Sequence, residues 1–154
     1  WHETNPGGTM DAVIAGSHQA QHHLETAHAS SRRALWAGRI LSGLPALFLL
    51  FDAGMKLVKP PFVVEGTLKV GFPESAVIPL GVVLLACVIL YLVPRSAVLG
   101  AILLTGYLGG AVATHLRIGD PLFSHTLFPV YFGVLLWAGL WLRDPRLRSI
   151  LSPR

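Results

Sequence analysis

Apolar residues along this chain collect into four long runs, at 36–58, 76–93, 97–116 and 126–142, with most polar residues confined to the segments between them. A helix needs about 20 predominantly apolar residues to cross the roughly 30 Å hydrocarbon core of a bilayer, so the pattern predicts four transmembrane helices. The first run opens on Trp36, whose amphipathic ring suits headgroup depth, and contains Pro45, which removes the hydrogen bond to the carbonyl of Leu41 and predicts a bend. The second tolerates Pro79 in its opening turn, and Pro94-Arg95 make a tight turn into the third. The third is rich in small residues: Gly106 and Gly110 form a GxxxG pair beside Gly109, Ala111 and Ala113. Such a face lets backbones approach closely, either against the first span or as a seam between two copies of the chain. The fourth holds Pro129, Tyr131, Phe132 and Trp137, and ends on Trp141-Leu142-Arg143, an expected headgroup boundary.

The longest connection, 59–75, starts with Lys59-Pro60-Pro61 and closes with Gly71-Phe72-Pro73. Its Phe62, Val63, Val64 and Leu68 are too apolar for a free loop, so the segment is expected to fold back on the mouth of the bundle.

Composition agrees with a membrane domain. The chain is 53% hydrophobic and 13% charged, against about 25% charged in a typical soluble domain. The expected fold is all-α: a four-transmembrane-helix bundle over 36–143 with a cytoplasmic N-terminal tail, 1–35, and a short basic tail, 144–154. The net charge of +4 does not point to nucleic acid, because the basic residues sit between spans and not as a stripe on one face.

Their distribution orients the bundle. Arg32, Arg33, Arg39, Arg95, Arg143, Arg146, Arg148 and Arg154 fall on the side of the two tails, and Lys56, Lys59, Lys69 and Arg117 on the other. The positive-inside rule then places both termini in the cytoplasm and the 59–75 segment outside, as in a bacterial inner (plasma) membrane protein.

The tail from Met10 to Arg33 is rich in Ala, Gln, Ser and His, a composition for a short surface helix or a solvated segment. Met10-Asp11 reads as a natural start, which would put residues 1–9 upstream of it. No secretory h-region precedes the first span, which is expected to act as an uncleaved signal anchor. His18 and His22 are four apart, but no acidic or cysteine ligand joins them at matching spacing, so no metal site is expected there. Cys87, the only cysteine, lies within the second run and is read as a packing residue.

The ionisable residues inside the apolar runs need a reason. A charge at membrane depth costs about 2.5–3.5 kcal/mol even on lenient scales, so it ordinarily has a partner or a task. Asp52 and Lys56 are spaced i, i+4 with the acid first, the preferred order for a helical ion pair. With the orientation above, Asp52, Lys56, Glu65 and His115 gather at the outer bundle end, with Tyr107 two turns deeper. Two readings stand side by side. Asp52 and Lys56 neutralise each other in a structural pair, or Asp52 accepts a hydrogen bond from His115 and the cluster forms a ligand site.

The segments RILSGL (39–44), FDAGMKL (51–57), Gly71-Phe72-Pro73, GYLGGAVATHL (106–116) and Trp141-Leu142-Arg143 together resemble the DoxX-like membrane proteins, over about 36–143. The resemblance implies a compact four-helix membrane domain. It further implies quinone- or thiol-linked redox work, with Lys56 and His115 standing where the family carries a recurring lysine and histidine.

Two functions compete on these grounds. One is a small subunit of, or accessory to, a redox system that binds a quinone near the outer surface through Asp52, Lys56, Glu65, Tyr107 and His115. No covalently held cofactor, Fe–S cysteine set, haem-type histidine pair or nucleotide motif is evident, so electrons would come from a redox partner protein. The other is a non-enzymatic scaffold or assembly factor that docks a partner through the 59–75 segment or the basic tail. The sequence does not decide whether the domain is catalytic.

Overall fold

The computed structural model describes residues 35–144 and Leu147. The tail histidines His18, His22, His23 and His28, and the tail arginines Arg146, Arg148 and Arg154, lie outside the described residues.

Five helices follow one another, and no strand occurs among the described residues. Helix α1 spans Leu35–Val58 and continues through Pro45. Helix α2 spans Pro61–Lys69. A 3₁₀ turn, Glu74–Ala76, leads into α3, Val77–Leu92. Helix α4 spans Ala97–Arg117. A π-helical turn, Leu122–Thr126, then enters α5, Phe128–Arg143. Counting those entry turns, Leu35–Val58, Glu74–Leu92, Ala97–Arg117 and Leu122–Arg143 are each long and apolar enough to cross a membrane. The chain is a multi-pass membrane protein.

The 59–75 segment is more ordered than a folded-back loop. Pro60 sits extended as the N-cap and Pro61 opens α2, where a missing N–H costs nothing and the fixed φ already suits a helix. Gly71, at φ +86°, ends the helix in a conformation open to glycine, with the Phe72 amide bonded to the Thr67 carbonyl at 3.1 Å.

Packing is centred on Leu84, Val88 and Tyr91 of α3, Ala97, Ala101 and Leu104 of α4, and Leu136 and Leu140 of α5. Cys87 is buried among them. Buried Tyr91 ties α3 to α5: its hydroxyl donates to the Leu136 carbonyl at 2.8 Å. Arg143 lies over the Tyr91 ring, 4.7 Å from its centroid, and donates to the Tyr91 carbonyl at 3.1 Å. Only 28–33% of each span is buried inside the protein. The remaining face carries exposed Leu44, Phe51, Val82, Ile102 and Val134, as a lipid-facing surface requires.

Close helix approach occurs at glycines other than the GxxxG pair. A Cβ on Gly100 would lie 2.2 Å from the Tyr91 backbone nitrogen, and one on Gly139 would lie 2.6 Å from the backbone nitrogen of Ser42 in α1. On Gly81 it would lie 2.8 Å from the Lys56 Cβ. Gly106 and Gly110 have nothing within 4 Å of an added Cβ, so they do not pack against the first span. Instead they are exposed and face open space.

Candidate functional site

That space is a cavity of about 590 Å³. Its apolar wall is an aromatic cluster that the hydropathy pattern did not single out: Phe48 of α1 with Phe128 and Phe132 of α5. Phe48 and Phe132 have ring centroids 4.9 Å apart, and Phe128 and Phe132 4.7 Å. The i, i+4 spacing of Phe128 and Phe132 on one helix face was the available signal. Gly106 and Gly110 line the opposite part, where the absence of side chains makes the room.

Helix α2 closes one side. Val63, Gly66, Thr67 and Val70 line the cavity at i, i+3, i+4 and i+7, which is a single helix face. Glu65 is two residues from Val63, about 200° round the helix, and is exposed outside the lining. The expected grouping of Glu65 with the other polar residues is therefore corrected by helix periodicity. Helix α2 is tethered at both ends: Lys59 pairs with Glu74 at 2.6 Å, and Arg117 of α4 donates to the Val70 carbonyl at 2.9 Å.

Asp52, Lys56, Tyr107 and His115 all line the cavity. The Lys56 ammonium donates to both carboxylate oxygens of Asp52, at 2.6 and 2.5 Å. An ammonium has three protons, which leaves one for a ligand. The two charges pair with each other at the cavity wall, the arrangement in which intramembrane ionisable groups are tolerated. The Thr67 and Thr114 hydroxyls are spent on the carbonyls four residues back, each at 2.8 Å. The Tyr107 hydroxyl has no protein partner among the described residues.

His115 does not bond Asp52. Its Nδ1 meets the carboxylate of Asp120 at 2.6 Å, a residue that sequence reasoning passed over. Asp120 lies just past α4, where Gly119 at φ +74° reverses the chain. Its amide donates to the His115 carbonyl at 3.1 Å and its carbonyl accepts from the Thr126 hydroxyl at 3.2 Å. The backbone thus delivers the carboxylate to the ring. The hydrogen bond from His115 holds the Asp120 carboxyl below the usual aspartate value, with the charges of His115, His125 and Lys69 adding to it. The His125 ring lies 6.3 Å from that of His115, with its Nδ1 2.8 Å from the Ser124 hydroxyl. Among the described residues no group of three or more His, Cys, Asp or Glu side chains is placed to hold a metal.

The arrangement can hold an amphipathic ring: aromatic and small-residue walls, with a cation, a phenol and an imidazole at the polar part. A cavity of this size falls within the roughly 300–1,000 Å³ typical of small-molecule sites. Compared with known proteins, residues 40–139 match the model of the DoxX-like family. No curated protein and no solved structure gives a match.

Proposed function

The chain belongs to the DoxX-like family, and on that footing we propose that it is a small membrane subunit of, or accessory to, a quinone-linked redox system, with the cavity as its ring-binding site. One observation carries the reading: a chamber of about 590 Å³ joins three phenylalanine rings to Lys56, Tyr107 and His115. The residues suit a quinone. Phe48, Phe128 and Phe132 offer faces for stacking, while the free Lys56 proton and the Tyr107 hydroxyl are donors for ring oxygens. A bound quinone would supply two-electron, two-proton redox chemistry, and the side chains would orient it and exclude water. Gly106 and Gly110 are given in this reading to the ligand and not to a second copy of the chain.

Thiol-linked chemistry is less well served, because Cys87 is buried in the core and stands alone. In this proposal the protein sits in a bacterial inner membrane with both termini cytoplasmic, supported by the excess of arginine on the side of the tails. The cavity then opens toward the outer face, where a redox partner protein exchanges electrons with the ring.

The test is mass spectrometry of quinones copurifying with the protein. Wild type should carry near-stoichiometric quinone. His115→Ala/Lys56→Ala should lose it, and so should Gly110→Leu, which fills the cavity where an added Cβ meets nothing. A well-folded wild type without quinone would sink the proposal and transfer the role to a scaffold or assembly factor docking a partner through the α2 segment.

A further inference from the structure

Among the polar groups that line the cavity, His115 can offer a ring nitrogen as acceptor, and Asp120 decides which one. Lys56 is a donor only, and it gives one hydrogen bond to each oxygen of Asp52. Tyr107 brings a hydroxyl. His115 has one ring nitrogen for a ligand, because Nδ1 is engaged by Asp120 at 2.6 Å. A carboxylate only accepts, so Nδ1 carries the proton in that bond. In the neutral ring Nε2 is then bare and presents a lone pair.

We propose that Asp120 is a positioning residue that fixes the His115 tautomer with Nε2 as acceptor, so that the cavity selects a ring bearing a hydroxyl, the quinol form, over the quinone. This rests on the ring-binding reading above and names the form of ligand bound. A quinone carbonyl oxygen facing Nε2 would set two lone pairs against each other and leave the imidazole unpaired. A quinol hydroxyl donates its proton to Nε2, while its oxygens still accept from Lys56 or Tyr107. The backbone bonds of Asp120, to the His115 carbonyl and from Thr126, hold the carboxylate in place whether or not a ligand is present.

Two measurements on the full-length protein in detergent test this. The first needs no ligand: ¹⁵N NMR of the imidazole of His115, assigned by its loss in His115→Gln. A pyridine-like Nε2 with a protonated Nδ1 is expected in wild type. In Asp120→Asn the amide can donate to Nδ1, so the tautomer should switch to Nε2–H, whereas Asp120→Glu should restore the wild-type signature. A doubly protonated ring, or the Nε2–H tautomer in wild type, would overturn the inference.

The second is anaerobic titration with a decyl-substituted benzoquinone and with its quinol. Wild type should favour the quinol by roughly tenfold, the scale of one hydrogen bond made against one left unpaired. Asp120→Asn should lose or invert that preference while still binding a ring. Binding of both forms with no preference, or preference for the quinone, would overturn the inference and leave the ring-binding reading standing. No binding of either form, with the fold intact by size-exclusion profile, would overturn both.

Discussion

Asp52 and Lys56 show how an ion pair survives at membrane depth. Both charges line the cavity, and the carboxylate is taken up by a partner one helical turn away. Asp120 differs, because it lies beyond the end of α4 and answers to solvent pH. Its carboxyl is held below its ordinary value near 3.8 by the hydrogen bond from His115. A depressed carboxyl stabilises the fold at pH above the unfolded value, and that contribution disappears as pH falls through the depressed folded value. The stability difference between wild type and Asp120→Asn in thermal unfolding should therefore be present above the ordinary aspartate range and shrink in strong acid. A gap that widens on acidification would contradict the His115–Asp120 contact.

Among the elements, glycines divide by what they face. Gly100 and Gly139 allow α4 to pass over Tyr91 and α5 over Ser42, where an added methyl group would collide with backbone. Backbone cannot rotate aside as a side chain can, so Gly100→Ala and Gly139→Ala should each destabilise by about 1–3 kcal/mol or more. Gly110→Ala meets open space and gains helix propensity, so its thermal midpoint should equal or slightly exceed that of wild type. Equal losses at all three would mean that Gly110 packs against a neighbour after all. Helix α2 illustrates the other element-scale effect: nine residues too short to stand alone are held by the Lys59–Glu74 pair, the Arg117–Val70 bond and an apolar face turned to the cavity.

For the whole molecule the decisive property is sidedness. Four crossings place the Pro94-Arg95 turn opposite the α2 segment. Cys87 is buried, so a membrane-impermeant maleimide should have little background in intact cells. Glu65→Cys, on the exposed face of α2, should label from outside, and Arg95→Cys only after the membrane is opened. The reverse pattern would invert the proposed orientation and turn the cavity mouth toward the cytoplasm.

The four spans, their ends to within a few residues and the membrane setting followed from sequence alone, because burial of apolar length in lipid is a one-dimensional requirement that each segment meets by itself. Asp52, Lys56, Tyr107 and His115 were legible for the same reason: a polar group inside an apolar run stands out without any knowledge of its neighbours. The Asp52–Lys56 pair was legible too, being one helical turn apart, but the partner of His115 was not. His115 was free on paper to meet Asp52, but the left-handed turn at Gly119 brings Asp120 to it first, and Asp52 is already held by Lys56. Likewise GxxxG spacing states that two backbones can approach, not that they do. In the folded chain Gly106 and Gly110 meet nothing within 4 Å of an added Cβ, and what reads as a packing motif lines a cavity.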